Sequence, residues 1–196
     1  MAFLFDTFTT RGLTLSNRIV VSPMCQYSST DGFASDWHLV HLGSRACGGA
    51  GLVFTEATAV TPEGRITPED LGIYFDAHVE RLSRIVRFIH SQGSAAGMQL
   101  AHAGRKGSTA RPWEGNGAVA PDAGGWVPVA PMPEPFAESF PRPRALRTPE
   151  IREIVDAFRD AARRASDAGF DVVELHGAHG YLIHEFLSPL TNTRTD

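Results

Sequence analysis

Histidine and tyrosine side chains are concentrated in the segment VVELHGAHGYLIHEF, residues 172–186. His176 and His179 stand three positions apart directly after an apolar run, and Tyr181 follows two positions later. Since a turn at the end of a strand can bring such residues to the same side, the two imidazoles can point at one ligand atom. Neutral imidazole donates a hydrogen bond without a fixed charge, and a phenol with an ordinary pKa of about 10 can deliver a proton. The pattern therefore predicts a site that polarises and protonates a ligand.

Two other interpretations of these histidines stay open from the spacing alone. Both can be partly buried and satisfied by backbone groups, or His176, His179 and His184 can bind the metal ion of a hydrolase. The metal alternative is the weaker one, because the segment lacks H-E-x-x-H and no Cys/His set elsewhere completes it. His38 and His41 have the same spacing but fall inside a predicted helix, so we interpret them as surface or capping residues.

A second group of reactive side chains occurs in SPMCQY, where a proline-stiffened turn follows a short β-branched run. The backbone of such a turn can face a flat heterocycle. An isolated cysteine is most often a small buried hydrophobe. Because Cys25 follows a strand, as the histidine pair does, we predict instead that its thiol faces a ligand.

A third candidate lies in MQLAHAGRK, residues 98–106. The carboxamide of Gln99 can donate and accept hydrogen bonds at once, which suits the edge of a pyrimidine-like ring. Arg105 and Lys106 can offset negative charge, but the default interpretation of this pair is a solvated basic turn.

The elements that must position these residues alternate between strand and helix. Helix signals are Ser35 as a cap before Trp37 and Val40, an apolar face over 76–92 with Gly93 after it, and Thr148 capping a helix that begins at Pro149. Residues 104–147, before the last of these helices, form a predicted loop that contains eight prolines. Loops of this length are usually functional or mobile. Four apolar segments have the composition of buried strands: 18–22, 51–60, 94–104 and 170–177.

Uniformly apolar strands that alternate with helices favour a parallel sheet covered by helices. An open doubly wound sheet and a closed β/α barrel both satisfy this order. No G-x-G-x-x-G follows the first strand, so a dinucleotide site of the open type is poorly supported. Polar groups follow every predicted strand, and such residues meet on one face in a barrel. We therefore predict the α/β class and a (β/α)8 TIM barrel.

The quoted segments, taken together with DWHLVHLGSRACGGAGLVFTEATAV, resemble the old yellow enzyme family of flavin-dependent ene-reductases, specifically its thermophilic-like branch. The resemblance extends over essentially all 196 residues, in the family's order and spacing. It implies a TIM barrel that binds FMN at the carboxyl ends of its strands, NADPH as hydride donor, and α,β-unsaturated carbonyl compounds such as enones as substrates.

The resemblance also assigns residues to the cofactor. One stretch is expected to lie along the flavin, the backbone after the second strand to contact it, and a carboxamide to bind its pyrimidine edge. These cofactor-binding residues are Ser22, Pro23, Met24, Cys25, Ala57 and Gln99.

The same carry-over assigns catalysis. His176 and His179 match the pair that hydrogen-bonds the substrate carbonyl oxygen, and Tyr181 matches the proton donor to the α-carbon. Tyr27 matches a phenol of the substrate pocket. No metal is implied.

The length of the chain predicts that it forms only part of such a barrel. A TIM barrel needs eight strands and about 250 residues, whereas four strands are predicted here. We expect residues 1–196 to form the N-terminal half of a single flavin-binding domain. A half-barrel leaves unpaired edges, so we expect self-association or a complementing half, and a homo-oligomer for the longer protein. A non-catalytic interaction module is the alternative function.

Composition and charge exclude two classes of partner. A formal net charge of -4 with scattered Lys and Arg gives no basic patch for nucleic acid. No run approaches the roughly 18 apolar residues of a membrane helix. Two cysteines, Cys25 and Cys47, make no disulfide framework, which is typical of a reducing compartment. The sequence therefore predicts a cytoplasmic protein.

Overall fold

The computed structural model describes residues 3–196 and forms eight strands and four α-helices within that range. The strands are β1 (Phe8–Thr10), β2 (Leu13–Leu15), β3 (Val20–Val21), β4 (Leu52–Ala59), β5 (Ala95–Ala101), β6 (Val129–Ala130), β7 (Arg144–Ala145) and β8 (Val172–Leu175). The helices are α1 (Asp36–Cys47), α2 (His78–Ser91), α3 (Thr148–Ala168) and α4 (Leu182–Leu187).

Four strands form one parallel sheet in the order β3-β4-β5-β8. These are the four strands predicted from the sequence, and their order along the sheet follows the chain, as in successive units of a barrel. β4 and β5 are buried along their whole length. The outer strands are not: Val20 is 46% exposed and Leu175 is 59% exposed. The prediction of uniformly buried strands is therefore wrong for β3 and β8, because each has a neighbouring strand on one side only.

Helices α1, α2 and α3 cover this sheet around one apolar core. In α2 the predicted residues Leu82, Val86 and Ile89 face the core as expected. In α1 the side that carries Trp37 and Val40 is exposed. The residues of α1 that face inward are His38, His41, Leu42, Gly43 and Ala46.

The start of α3 differs by one residue from the prediction. Thr148 is the first helical residue, and Arg147 occupies the capping position. The reason is electrostatic: a carboxylate oxygen of Glu150 accepts the backbone N–H of Arg147 at 2.7 Å, and its other oxygen pairs with the Arg147 guanidinium at 3.1 Å. A first-turn acid thus supplies the cap that was expected from the threonine hydroxyl.

A hairpin that was not predicted closes the amino end of the sheet. Its strands β1 and β2 are joined by Arg11 and Gly12, whose φ values of 45° and 86° are those of a two-residue hairpin turn. Leu15 of this hairpin packs against Leu52 and Ala95, the first residues of β4 and β5. The carboxyl ends of the strands are left to carry the polar side chains.

Residues 104–147 contain little regular secondary structure, and contacts within this segment and to Glu63 hold it in place. It contains three 3-10 turns and the paired short strands β6 and β7. The Ser108 hydroxyl accepts the backbone N–H of Trp126 at 2.8 Å, and the indole of Trp126 donates to the carbonyl of Glu63 at 2.9 Å. Among residues 3–196, no helix is long and apolar enough to cross a membrane.

Candidate active site

The segment 176–181 is a tight turn between β8 and α4. The N–H of His176 continues the ladder by donating to the carbonyl of Leu100 at 2.9 Å. His179 and Gly180 then have φ values of 58° and 74°. This left-handed conformation is open to glycine at position 180, but it is disfavoured for histidine. Such backbone strain is concentrated at functional sites, so the turn is a candidate functional site.

The structure brings the two predicted imidazoles together. Nδ1 of His179 lies 3.2 Å from Nε2 of His176, and Nδ1 of His176 accepts the N–H of Ala178 at 3.3 Å. Neutral His176 therefore carries its proton on Nε2 and donates it toward His179. Burial, followed by the charge of His179, lowers the pKa of His176, so the ring is neutral at pH 7.

Tyr181 stands beside this pair. Its ring centroid is 4.8 Å from that of His176 with an interplanar angle of 84°, an edge-to-face contact. Burial raises the pKa of Tyr181 above its ordinary value, and the neighbouring Cys25 and Asp70 raise it further. The phenol therefore keeps its proton across the physiological range.

Cys25 and Tyr27 lie in the loop after β3, next to Tyr181. Burial raises the pKa of Cys25 to about 12, and the charges of Asp70 and Glu56 act in the same direction, with smaller opposing effects from hydrogen bonds to the Ala57 backbone and to Tyr27. Burial and the neighbouring thiol likewise raise the pKa of Tyr27. Both side chains are therefore neutral hydrogen-bonding groups at pH 7.

The remaining predicted cofactor residues lie toward the carboxyl ends of β3, β4 and β5. Ser22 and Met24 are exposed and Pro23 is partly buried in the loop after β3. Ala57 near the end of β4 pairs in register with Gln99 of β5. The structure thus places all six predicted cofactor residues at adjacent strand ends.

Gln99 has a partner that the sequence did not reveal. Its Nε2 donates to Oε1 of Glu174 on β8 at 2.5 Å. The two residues are opposite each other in the register of the parallel pair. This bond fixes the orientation of the carboxamide. The only signal for Glu174 was an acid inside an otherwise apolar strand.

The basic pair after β5 was wrongly interpreted as solvated. Arg105 and Lys106 are partly buried, and Nζ of Lys106 donates to the carbonyl of His179 at 2.9 Å. The ammonium also lies 4.2 Å from the ring centroid of Phe136 and 5.6 Å from that of Tyr181. These cation–π contacts and the hydrogen bond hold the ammonium group of Lys106 against the protein. Lys106 therefore supports the turn that carries the histidines.

Behind the turn, α4 is anchored by a buried carboxyl group. Glu185 is 1% exposed, and its Oε1 accepts the N–H of Arg105 at 3.0 Å. A Cβ at Gly104 would overlap this carboxyl group, which requires glycine there. Burial raises the pKa of Glu185 to about 8, against the lowering effects of its hydrogen bond to Arg105 and of nearby positive charge.

The described residues do not support the interpretation of His176, His179 and His184 as metal ligands. Nδ1 of His184 accepts the N–H of Gly180 at 2.8 Å, so this histidine shapes the turn. Over residues 3–196, no group of three or more His, Cys, Asp or Glu side chains is arranged to hold a metal ion.

The second histidine pair was misjudged. His38 and His41 are 1% and 7% exposed, so they are core residues of α1 and not surface residues. The capping role holds for His38, whose Nδ1 accepts the N–H of Ser35 at 2.9 Å. Its other nitrogen contacts Glu56, a buried acid within β4.

Four parallel β/α units with polar side chains at the carboxyl ends of their strands define a partial β/α barrel. A model of the NADH:flavin oxidoreductase / NADH oxidase family matches residues 3–196. The chain therefore belongs to this family. Among its relatives, an NADPH dehydrogenase of Geobacillus thermodenitrificans is 50% identical over 195 residues, which is 98% of this chain and 53% of that protein. An NADH:flavin oxidoreductase of Gibberella zeae is 48% identical over 197 residues, which is 98% of this chain and 48% of that protein.

Solved structures agree with this assignment. Morphinone reductase superposes with a TM-score of 0.84 at 33% identity, covering 98% of this chain and 52% of that one. The old yellow enzyme homologue of Zymomonas mobilis superposes with a TM-score of 0.83 at 33% identity, covering 98% and 53%. The resemblance to old yellow enzymes and the partial TIM barrel are thus confirmed.

This chain spans about half the length of the relatives that it matches. The domain assignment, self-association, a complementing half and homo-oligomerisation stay predictions.

The side chains of this face fit the flat ring of FMN. The Gln99 carboxamide both donates and accepts, and it lies beside the Ala57 backbone. The exposed thioether of Met24 and the neutral thiol of Cys25 offer soft apolar surface to an aromatic ring. This donor set matches a heterocycle with alternating donors and acceptors at one edge.

Proposed function

We propose that the whole protein is an FMN-dependent oxidoreductase that takes hydride from NADPH and reduces the activated C=C bond of α,β-unsaturated carbonyl compounds such as enones. Family membership and the names of the relatives support the redox class. The observation that carries the substrate class is the 3.2 Å contact between His176 and His179 beside the protonated phenol of Tyr181. Two donors and an acid are what polarising and then protonating an enone requires.

The cofactor would be bound by residues at the carboxyl ends of the strands. Ser22, Pro23, Met24 and Cys25 would lie along the flavin ring, with Ala57 contacting it through its backbone and Gln99 binding its pyrimidine edge. When bound, FMN supplies the hydride-transfer chemistry that no side chain of this protein can perform. The bond from Gln99 to Glu174 holds the carboxamide in one orientation before the ring arrives.

The two histidines bind the carbonyl oxygen of the substrate. An oxygen within hydrogen-bonding distance of both facing nitrogens replaces their mutual contact of 3.2 Å. His176 already carries its proton on Nε2, whereas His179 must move its proton to Nδ1 to donate as well. Preorganised donors aimed at an oxygen that gains negative charge stabilise the transition state, and the loss of one costs about 10²–10³ in rate.

Tyr181 donates the proton to the α-carbon of the substrate. Its raised pKa keeps the phenol protonated until the reaction generates a base strong enough to take the proton. Tyr27 is a second neutral phenol near Tyr181, and we assign it to substrate binding. Lys106 holds the turn through the carbonyl of His179 and so keeps the donors in place.

The substrate class is tested by product analysis on the whole protein loaded with FMN. We expect a yellow protein that consumes equimolar NADPH and cyclic enone and releases the saturated ketone. The matched control is the saturated ketone itself, which has the same carbonyl group and no C=C bond and is not expected to react. NADPH oxidation that yields no saturated product would contradict the proposal.

A further inference from the structure

Gln26, between Cys25 and Tyr27, is held by hydrogen bonds of its backbone N–H and of both polar atoms of its side chain. Its backbone N–H donates to Oε2 of Glu56 at 2.8 Å. Its side-chain Nε2 donates to the carbonyl of Met24 at 2.7 Å, and its Oε1 accepts the indole N–H of Trp37 at 3.0 Å. The loop has no regular secondary structure after β3. These bonds therefore decide where the loop lies.

Glu56, which accepts the Gln26 N–H, is itself held by a contact with His38. It is 3% exposed, and its Oε1 lies 3.1 Å from Nε2 of His38. Because Nδ1 of His38 accepts the N–H of Ser35, the ring proton lies on Nε2, which donates to Glu56 and also lies 3.3 Å from Oγ of Ser29. Register is interrupted between Phe54 and Ala57, so Glu56 falls in a strand irregularity that redirects its side chain.

Ser35, His38, Glu56 and Gln26 thus form a continuous chain of hydrogen bonds, which we call the brace. It leads from the first turn of α1 through the buried carboxyl group to the peptide N–H at Gln26. Tyr27, next in sequence, has a φ of 49°. A residue held in this disfavoured region needs surrounding contacts that over-determine it, and the brace supplies one.

We propose that Glu56, held by His38, is a positioning residue that fixes Cys25 and Tyr27 at the carboxyl face of the sheet. The planar peptide unit that carries the Gln26 N–H also contains the Cα atoms of Cys25 and Gln26. Holding this N–H therefore fixes the Cα of Cys25 directly, and it fixes the Cα of Gln26 from which the chain continues to Tyr27. The significance for flavin and substrate rests on the proposed function, whereas the positioning itself does not.

The accessibility of the Cys25 thiol measures the position of the loop without any cofactor. The 196-residue chain with Cys47→Ser has a single thiol, and its rate of reaction with a maleimide is followed under native conditions at several pH values. For Glu56→Ala we expect the labelling rate to rise about tenfold, because the Gln26 N–H loses its carboxylate acceptor and the loop opens locally.

Two controls separate positioning from charge and from general loosening. Glu56→Gln removes the charge that contributes to the raised pKa of Cys25 but keeps an oxygen for the Gln26 N–H, so labelling should stay within about threefold. Asp171→Ala removes a carboxylate with the same two kinds of partner, the N–H of Ala96 and the imidazole of His90, at the opposite end of the sheet. It should leave Cys25 labelling unchanged.

The reciprocal thiol completes the test. In a Cys25→Ser background, Cys47 on α1 should be labelled at the same rate with and without the Glu56→Ala substitution. Equal acceleration at both cysteines, or equal acceleration by Glu56→Ala and Glu56→Gln, would overturn the positioning role. If Glu56→Ala does not fold, His38→Ala takes its place, with the same expected selectivity for Cys25. Because labelling needs neither FMN nor NADPH, this outcome is independent of the proposed activity.

Discussion

Tyr27 lies edge-to-face against Trp113, with ring centroids 5.7 Å apart and an interplanar angle of 75°. Trp113 comes from a 3-10 turn of the long loop, and its side chain is 67% exposed. The contact joins the loop to the phenol that we assign to substrate binding. An exposed tryptophan beside such a pocket offers flat apolar surface to a ring-containing substrate.

Replacement of Trp113 is expected to weaken substrate binding rather than the redox step. Aromatic contacts of this kind contribute about 0.5–1.5 kcal/mol, so Trp113→Ala should raise KM for a cyclic enone by about two- to tenfold while the rate of flavin reduction by NADPH stays unchanged. Steady-state and stopped-flow measurements on the whole protein check this. Val127→Ala, an exposed apolar residue of the same loop, is the control. An unchanged KM would remove Trp113 from the pocket.

Loss of either histidine donor should affect the two half-reactions unequally. His176→Ala or His179→Ala is expected to lower enone turnover by about 10²–10³, the effect of removing one donor to a developing oxyanion. Flavin reduction by NADPH should fall far less. Stopped-flow absorbance of the flavin separates the half-reactions, and equal losses in both would count against the assigned role.

Tyr181→Phe keeps the ring and removes the acidic proton. We expect flavin reoxidation by the enone to slow by about 10²–10⁴, as for loss of a general acid. The raised pKa also predicts a pH profile: an acid must stay protonated, so the unaltered enzyme should show no loss from Tyr181 ionisation up to about pH 10. Reoxidation rates measured from about pH 6 to 10 test both statements. Unchanged reoxidation in the variant would exclude Tyr181 as the donor.

Glu185 predicts a pH dependence of stability. Its pKa is raised from 4.5 to about 8 in the folded chain, so the folded state binds a proton that the unfolded state releases between these values. The contribution is fully present below about pH 4.5 and is lost as pH rises through about 8. Glu185→Gln, which mimics the protonated form, should flatten the dependence in this window.

Urea unfolding at about pH 5 and about pH 8 measures this difference. Glu153→Gln, an exposed acid of α3, is the control and should leave the dependence unchanged. Parallel dependence in the unaltered chain and in Glu185→Gln would show that Glu185 is ionised in the folded state.

The parallel strands and covering helices were predictable because their patterns are local. β4 and β5 are continuous apolar runs, and α2 repeats its apolar residues at helical spacing before Gly93, whose φ is 78°. The inward face of α1 was not predictable in this way. It carries His38 and His41, and a polar side chain becomes a core residue only when another segment supplies its partner, here Glu56 for His38.

The residues of the candidate site were recognised because their chemical groups cluster in the sequence. The residues that support them were missed because they are distant in sequence. His176, His179 and Tyr181 are close in sequence, so their clustering is visible without a structure. Lys106 reaches the carbonyl of His179 across 73 positions of sequence, and Glu174 meets Gln99 across a strand pair. Contacts between distant segments leave no periodic signal along the chain.

The hairpin at the amino end of the sheet has a practical consequence. Its turn at Arg11 and Gly12 projects from the end where Leu15 covers the first residues of β4 and β5, and the candidate site lies at the other end. A dye, a surface tether or a fusion partner joined at this turn would leave the path of small molecules to the site unobstructed. The fold thus provides a built-in attachment point for immobilised use.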